Sequence, residues 1–297
     1  MSRSLPTQTR ERTVAKARTL LEALPFLEEH RGSTVVVKIG GAVMRDAKLT
    51  WSFARDLALL QHVGIDPVII HGGGPQVTTT ADRLGLETSF VDGHRVTDEA
   101  TLDVATMVLA GKVNTELVAA LTAGGTRAVG VSGVDGGLVV VRRRAQPDLG
   151  FVGEVERVDS GLIRALLDRS FVPVVASIAA DGAGQAYNVN ADVVAAELAV
   201  GLAASKLVYL SDVPGVIGPD GQLLSELGVA ETLDLLARGD VVEGGMIPKL
   251  ESAIRASKAG VPRVHLLDGR VDHALVLELL TPEGIGTMIL PDAREAS

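Results

Sequence analysis

An α/β fold is predicted, a three-layer αβα sandwich on a mainly parallel sheet, and two observations carry the expectation. The first is alternation. From Thr34 onward, short β-branched runs recur at 34–39, 66–71, 127–132, 172–177, 206–211 and 263–267. Helix-like segments lie between them, around 50–63, 75–84, 98–123, 160–169, 191–203 and 246–259, as parallel strands joined by helices on both faces require. The second is composition: 46 % of the 297 residues are hydrophobic but only 3 % aromatic. The core must therefore be assembled from Val, Leu, Ile and Ala, the mix of strands buried on both faces.

Residues 1–30 differ in character from the rest. Val14, Ala17, Leu20, Leu21, Leu24 and Leu27 recur at helical spacing among charged residues, with Pro25 inside the run. Proline lacks an N–H and its ring crowds the carbonyl four residues back, so a kinked helix is expected. Its apolar stripe packs either on its own domain or on another subunit. Further along, GLVVVRRRA and GFVGEVERV read as an antiparallel hairpin connected near Pro147-Asp148, with Arg142, Arg143 and Arg144 on a solvated edge rather than in a phosphate clamp. The turn-rich stretch 177–185 is a candidate joint between an N-terminal lobe, 31–180, and a C-terminal lobe, 181–297.

A net charge of -9 makes the chain a poor ligand for nucleic acid or an anionic membrane, which repel it. Anionic substrates must then be held by a few local cations and backbone N–H groups. The absence of cysteine excludes disulfides, thiol nucleophiles and Cys-ligated zinc. The start is polar, without an apolar signal core, and charges such as Glu197 and Lys206 interrupt apolar stretches before they span a bilayer. A soluble cytoplasmic protein is expected, with no nucleic-acid or membrane partner.

Two glycine clusters carry the first chemical signal. Lys38-Ile39-Gly40-Gly41 ends the first strand; His71-Gly72-Gly73-Gly74-Pro75 ends the second, directly before a helix. Glycine there lets backbone N–H groups approach an anion, and a helix N-terminus adds a favourable dipole. Each cluster alone also suits a mere tight turn; two at one edge of a parallel sheet mark the edge where α/β ligands bind. Neither fits a P-loop or a dinucleotide fingerprint.

A lysine closing a buried strand before Gly-Gly is an unusual surface charge, so Lys38 reads as a cation aimed at a transferring phosphoryl group, or else as half of a structural salt bridge. Lys249 in GGMIPK is a second such cation. Asp192 in YNVNAD either orients these lysines or is simply an acid favoured at a helix N-terminus. Asn188 and Asn190 offer amides, and Arg95 in GHRVT can grip a carboxylate with two parallel hydrogen bonds. The six histidines, at 30, 62, 71, 94, 265 and 273, form no metal-binding spacing, and His71 reads as a packed residue.

In order along the chain, VVVKIGG (35–41), IIHGGGPQV (69–77), GHRVTD (93–98), VLAGKVNTELV (108–118), GFVGEV (150–155), YNVNAD (187–192), YLSDVPGV (209–216), GGMIPKLE (244–251) and HLLDGRV (265–271) together resemble the amino acid kinase family over essentially the whole length. Within it the pattern is most similar to members that phosphorylate N-acetyl-L-glutamate. The resemblance implies attack of a side-chain carboxylate on the γ-phosphorus of ATP, bound with Mg2+, with no metal held by the protein itself. It implies Lys38 and Lys249 as the pair stabilising the transferring phosphoryl, and Asp192 as their organiser. Gly40, Gly41, Gly73 and Gly74 become backbone donors to ATP phosphates and acceptor, Arg95 and Asn188 the acceptor's grip, and Ser211 and Asp212 contacts of the nucleotide.

A kinked helix before the first strand resembles the arginine-sensitive members. This implies a homo-oligomer, a dimer built up to a hexamer as a trimer of dimers, with feedback inhibition by L-arginine bound near Glu278, Glu283, Gly284 and Gly286. The chain departs from the common pattern where Ile39 replaces an aromatic and Ala42-Val43 follow the glycines, which bears on packing around the acceptor. Competing readings are a sister kinase for an aminoadipate-type acceptor, a non-catalytic arginine sensor, and a dinucleotide oxidoreductase that lacks its fingerprint.

Overall fold

The computed structural model describes residues 7–91, 93–239, 242, 244–282 and 284–292. Helices α1 (Thr7–Glu22) and α2 (Leu24–His30) precede β1 (Thr34–Ile39), and α3 (Gly41–Arg45) and α4 (Ala47–His62) lead to β2 (Asp66–His71). Then come α5 (Gly74–Arg83), the ribbon β3 (Phe90–Val91) and β4 (His94–Arg95), and a helical rod made of α6 (Glu99–Thr106), a π-helical stretch Met107–Val113 and α7 (Asn114–Ala123). The middle of the chain holds β5 (Ala128–Ser132), β6 (Val139–Arg143), β7 (Gly153–Val158), α8 (Gly161–Leu167), β8 (Val172–Ala176), β9 (Ile178–Ala180) and β10 (Ala186–Asn188). The last part is α9 (Ala191–Gly201), β11 (Lys206–Ser211), β12 (Glu226–Gly228), α10 (Val229–Arg238), α11 (Met246–Lys258), β13 (Val264–Asp268), α12 (Ala274–Leu280) and β14 (Thr287–Leu290).

The main sheet has eight strands in the order β12-β14-β13-β11-β1-β2-β8-β5. Every neighbouring pair is parallel except β13 with β14. Strand alternation divides the core as the aliphatic composition requires. Val36, Ile70, Leu207 and Tyr209 face α9 and α11, while Val35, Val37, Ile69 and Val208 face α4, α7 and α12. Each fully buried aliphatic side chain contributes roughly 1.5–3 kcal/mol by leaving water. The three-layer expectation is met. A second sheet, β10-β9-β6-β7, contains the expected 139–158 hairpin. Arg142 and Arg143, at the exposed end of the inner strand β6, are paired to Glu154 and Asp148 in solvent.

Some details differ from expectation. Residues 177–185 hold the turn of the β9–β10 hairpin rather than a linker, and the main sheet runs unbroken from residues of one half to those of the other through β1 and β11. The helix at 98–123 contains π turns. It is also long and apolar enough to cross a bilayer by length and composition, although charges were expected to interrupt every such stretch. Its α7 part packs along α4, β5 and β8 as a core helix does. The N-terminal kink falls at Ala23, with Pro25 in the first turn of α2. Before the kink, Leu20 and Leu21 are 74 % and 66 % exposed, so this part of the stripe is left bare among the described residues; after it, Phe26 and Leu27 pack against the core.

Candidate active site

Lys38 is the fifth residue of β1, in register with Tyr209 on one side and Ile70 on the other. It shares the Val36 face and therefore projects toward α9 and α11. Asn190 caps α9, its Oδ1 accepting from the Asp192 N–H at 2.7 Å. This fixes Asp192 in the first turn, where the helix dipole favours a carboxylate. Tyr209, wholly buried, donates its hydroxyl to the Asp192 carbonyl at 3.2 Å; burial, with the Asp192 charge adding to it, pushes its phenol well above the usual range. Lys249 stands in the first turn of α11, its ammonium donating to the Gly245 carbonyl at 3.1 Å. The three charges converge: Lys38 Nζ lies 2.7 Å from Asp192 Oδ1, and Lys249 Nζ 3.6 Å from Asp192 Oδ2. Both oxygens of the carboxylate thus face ammonium groups. No group of three or more His, Asp or Glu among the described residues is placed to hold a metal ion.

Beside this cluster is a cleft of about 200 Å³ whose walls include Gly72, Gly73, Gly74, Arg95, Asn188 and Ala191, the last adjoining Asp192. That is small against the ~300–1,000 Å³ of usual ligand clefts and suits a compact acceptor. Arg95 is 8 % exposed. Its Nη2 donates to the Gly74 carbonyl at 2.9 Å and to Thr78 Oγ1 at 2.7 Å, and its guanidinium lies 4.7 Å from the Phe90 ring centroid. Its buried Nη1 has no hydrogen-bond partner among the described residues. Burial lowers the guanidinium below its usual value, with Asp82 opposing. A buried cation with a spare donor in a small cleft is suited to a ligand carboxylate. Asn188 Nδ2 donates to Thr97 Oγ1 at 3.3 Å, and Thr97 is in turn clamped to the 149–151 segment by backbone bonds of 2.8 and 2.6 Å.

The glycines divide by role. Gly73, which precedes α5, has no room for a Cβ: one would meet Leu109 Cδ2 at 2.7 Å, whereas at Gly74 nothing lies within 4 Å. The expectation that Gly40 donates to a phosphate is corrected. Its N–H already donates to the Leu210 carbonyl at 2.9 Å, and its smallness serves that close strand approach. Gly41, next along, opens α3. Ser211 is buried and bonded within its own turn, accepting from the Val213 N–H at 3.2 Å, and Asp212 is exposed.

The remaining predicted residues sit elsewhere. Glu278 accepts from His265 Nδ1 and from the Ile285 N–H, both at 2.7 Å. Burial pushes its carboxyl up, but these bonds outweigh it and hold it below the usual value. Gly284 has φ +60°, and a Cβ at Gly286 would lie 2.2 Å from the Leu266 carbonyl oxygen; Glu283 lies outside the described residues. Nearby, burial depresses Lys206 to about 8 and His30 to about 4. Sequence reasoning missed Lys206, Tyr209, Thr78 and Asn114 as supporting residues. Only Lys206, a charge opening an otherwise apolar strand, left a signal in the sequence.

Two cations sharing one carboxylate beside a glycine-walled cleft, on an open α/β sheet without a P-loop, are the arrangement of a phosphotransferase. Comparison with known proteins agrees. The model of the amino acid kinase family matches residues 33–268, and the chain belongs to that family. It is 45 % identical to acetylglutamate kinase of Carboxydothermus hydrogenoformans over 95 % of this chain and 100 % of that one. It is 46 % identical to acetylglutamate kinase of Thermosynechococcus vestitus over 93 % and 94 %. Among solved structures, N-acetylglutamate synthase from Neisseria gonorrhoeae with coenzyme A and N-acetyl-glutamate superposes with a TM-score of 0.83 at 31 % identity, covering 93 % of this chain and 64 % of that one. Carbamate kinase from Giardia lamblia, at 19 % identity and a TM-score of 0.64 over 88 % and 99 %, shares the fold.

Proposed function

We propose that this chain transfers the γ-phosphoryl group of MgATP to the side-chain carboxylate of N-acetyl-L-glutamate. A carboxylate oxygen forms the new bond to the γ-phosphorus, the bond to the β,γ-bridging oxygen breaks, and N-acetylglutamyl 5-phosphate and ADP leave. The observation that carries the reading is the Lys38–Asp192–Lys249 cluster, which adjoins the Arg95 cleft through Asn190 and Ala191 of its wall; the acetylglutamate kinases at 45 % and 46 % identity support the choice of acceptor.

A carboxylate with an ordinary pKa near 4 is already ionised at neutral pH, so the reaction needs no base. Catalysis falls to positioning and charge neutralisation. Lys38 and Lys249 neutralise oxygens of the transferring group, Asp192 holds them in place, and Gly41, Gly73 and Gly74 donate backbone N–H groups. Arg95 and Asn188 hold the acceptor, while Ser211 and Asp212 meet the nucleotide. Since both Asp192 oxygens face lysines, Mg2+ enters with ATP as part of the substrate.

L-arginine is the proposed feedback inhibitor. A neighbouring solved structure carries arginine together with coenzyme A on a chain 28 % identical to this one, and the segment 284–286 joined to Glu278 is the site assigned to it. The bare stripe of α1 favours assembly of dimers into a hexamer. The setting proposed is cytoplasmic amino-acid biosynthesis. The decisive experiment is hydroxylamine trapping of acyl phosphate with N-acetylglutamate, glutamate, aspartate and aminoadipate, with and without arginine. ATP-dependent hydroxamate with N-acetylglutamate above all others is expected; preference for another acceptor, or none formed, rejects the proposal.

A further inference from the structure

The glycine cluster after β2 is tied to the interior by two side chains that stand behind the cleft wall. His71 closes β2 and is 0 % exposed. Its Nδ1 lies 2.8 Å from the Gly72 carbonyl oxygen and its Nε2 3.0 Å from Asn114 Nδ2. That amide nitrogen also donates to the Val174 carbonyl of β8 at 2.9 Å, which fixes its orientation. An amide NH2 only donates, so His71 Nε2 must accept, and the single proton of the neutral ring is on Nδ1, donating to Gly72. Burial depresses the imidazole to about 4, so the arrangement does not titrate near neutrality.

The arrangement is built in from three directions. Asn114 immediately follows the π-helical stretch Met107–Val113. It fits only because residue 130 is glycine, where a Cβ would fall 1.9 Å from Asn114 Oδ1. Leu109, in the same π stretch, stands where a Cβ on Gly73 would fall. Across a planar trans peptide the carbonyl and the following N–H point in opposite directions. Fastening the Gly72 oxygen to the buried imidazole therefore turns the Gly73 N–H away from it, and Gly73 itself lines the cleft.

We propose that His71 and Asn114 are positioning residues, a relay that aims the Gly73 N–H at the anion transferred or received in the cleft without touching it. This rests on the phosphoryl-transfer reading above. Two replacements separate the relay from mere packing. In His71→Asn the amide nitrogen takes the place of Nδ1 and keeps the bond to Gly72 while losing Asn114. In His71→Gln the amide reaches the place of Nε2, keeps Asn114 and drops Gly72, although Gln matches the volume of His better. Removal of one donor to a developing anion costs about 10²–10³ in kcat. The expected result is kcat for His71→Asn at least about tenfold above that of His71→Gln, with KM for ATP similar in both. Equal kcat values, or His71→Gln the faster, overturn the proposal.

A measurement on the chain with His71 intact decides independently of the folding of the His71 variants and of which acceptor is used. In ¹⁵N-histidine-labelled protein, assigned through single His→Gln changes at the other five histidines, the His71 resonances should show a protonated Nδ1 and a bare Nε2 at pH 7. The opposite tautomer, or an imidazolium, overturns the relay even if the kinase activity stands.

Discussion

Lys38 Nζ lies 2.7 Å from Asp192 Oδ1, with the two side chains only 11 % and 7 % exposed. A buried ion pair is weak support for stability, because desolvation offsets much of the attraction. Its presence on the central strand is better explained by charge kept ready for a polyanion. Lys38→Met should lower kcat by about 10²-fold or more while KM for ATP changes only a few-fold, since the cation acts on charge that develops in transfer. Steady-state kinetics checks this, and near-normal turnover would remove Lys38 from the mechanism. Asp192→Asn leaves two neighbouring ammonium groups uncompensated and should cost about 3 kcal/mol in guanidinium melts as well as activity.

Arg95 presents a fork held in place by Gly74, Thr78 and Phe90. Lysine supplies the charge but neither the fork nor the stacking plane. Arg95→Lys should raise KM for N-acetylglutamate roughly tenfold or more, a loss of about 1.4 kcal/mol or more of binding, and leave KM for ATP near normal.

Buried histidines contribute to the acid limb of stability, and two of them do so most clearly. His30 and His71 are each held down to about 4 against 6.5 in the unfolded chain. Between those values the unfolded state binds protons that the folded state does not, so stability falls as pH drops from about 6.5 toward 4. At 1.36 kcal/mol per unit, His71 accounts for up to about 3 kcal/mol. Urea melts from pH 7.5 to 4 should show this decline, and His30→Gln should flatten part of it; an unchanged slope contradicts the assignment.

Gly150 has φ +77°, and a Cβ there would stand 2.2 Å from the Thr97 carbonyl oxygen. Gly150→Ala combines left-handed strain with a backbone clash and should destabilise by about 2–4 kcal/mol. Because Thr97 braces Asn188, KM for the acceptor should rise too. Thermal melts and kinetics on the same preparation test both halves.

Deletion of residues 1–28 removes the exposed α1 stripe and most of α2. It should reduce the assembly to dimers in analytical ultracentrifugation and weaken arginine inhibition. Unchanged size and arginine response would count against the regulatory reading.

Much of this architecture is legible in the sequence, for physical reasons. Strands such as 34–39 and 206–211 are buried on both faces and read as unbroken β-branched runs. Asp192 follows Asn190 at capping distance, and Lys38 is conspicuous because a charge rarely ends a buried strand. What escaped depends on distance in space. β12 is a short edge strand, and its pairing with the equally short β14 joins residues about 60 positions apart. The π turns at 107–113 carry a helical pattern that does not reveal one extra residue per turn. His71 looked like a packed histidine and is one, but its link to Asn114 spans 43 positions and has no local signature. Gly40 read as a phosphate donor because a glycine after a lysine looks the same whether its N–H faces a ligand or a neighbouring strand; only the β11 carbonyl, supplied from residue 210, distinguishes the two.

The seating of β1 between β2 and β11 also sets the order of events during synthesis. Val35 pairs with Pro67 on one side but with Lys206 on the other, a sequence separation of 206 − 35 = 171 positions. A ribosome that has made the first half of the chain has made the glycine-walled cleft's ribbon and β2, but it leaves one edge of β1, with Lys38 in it, unpaired. Such an edge invites association with other strands. The nascent chain therefore leaves that edge of β1 open until β11 emerges, and the phosphoryl site stays incomplete longer still, until α11 supplies Lys249; chaperone dependence should fall at the first point of elongation and catalytic competence begin only after the second.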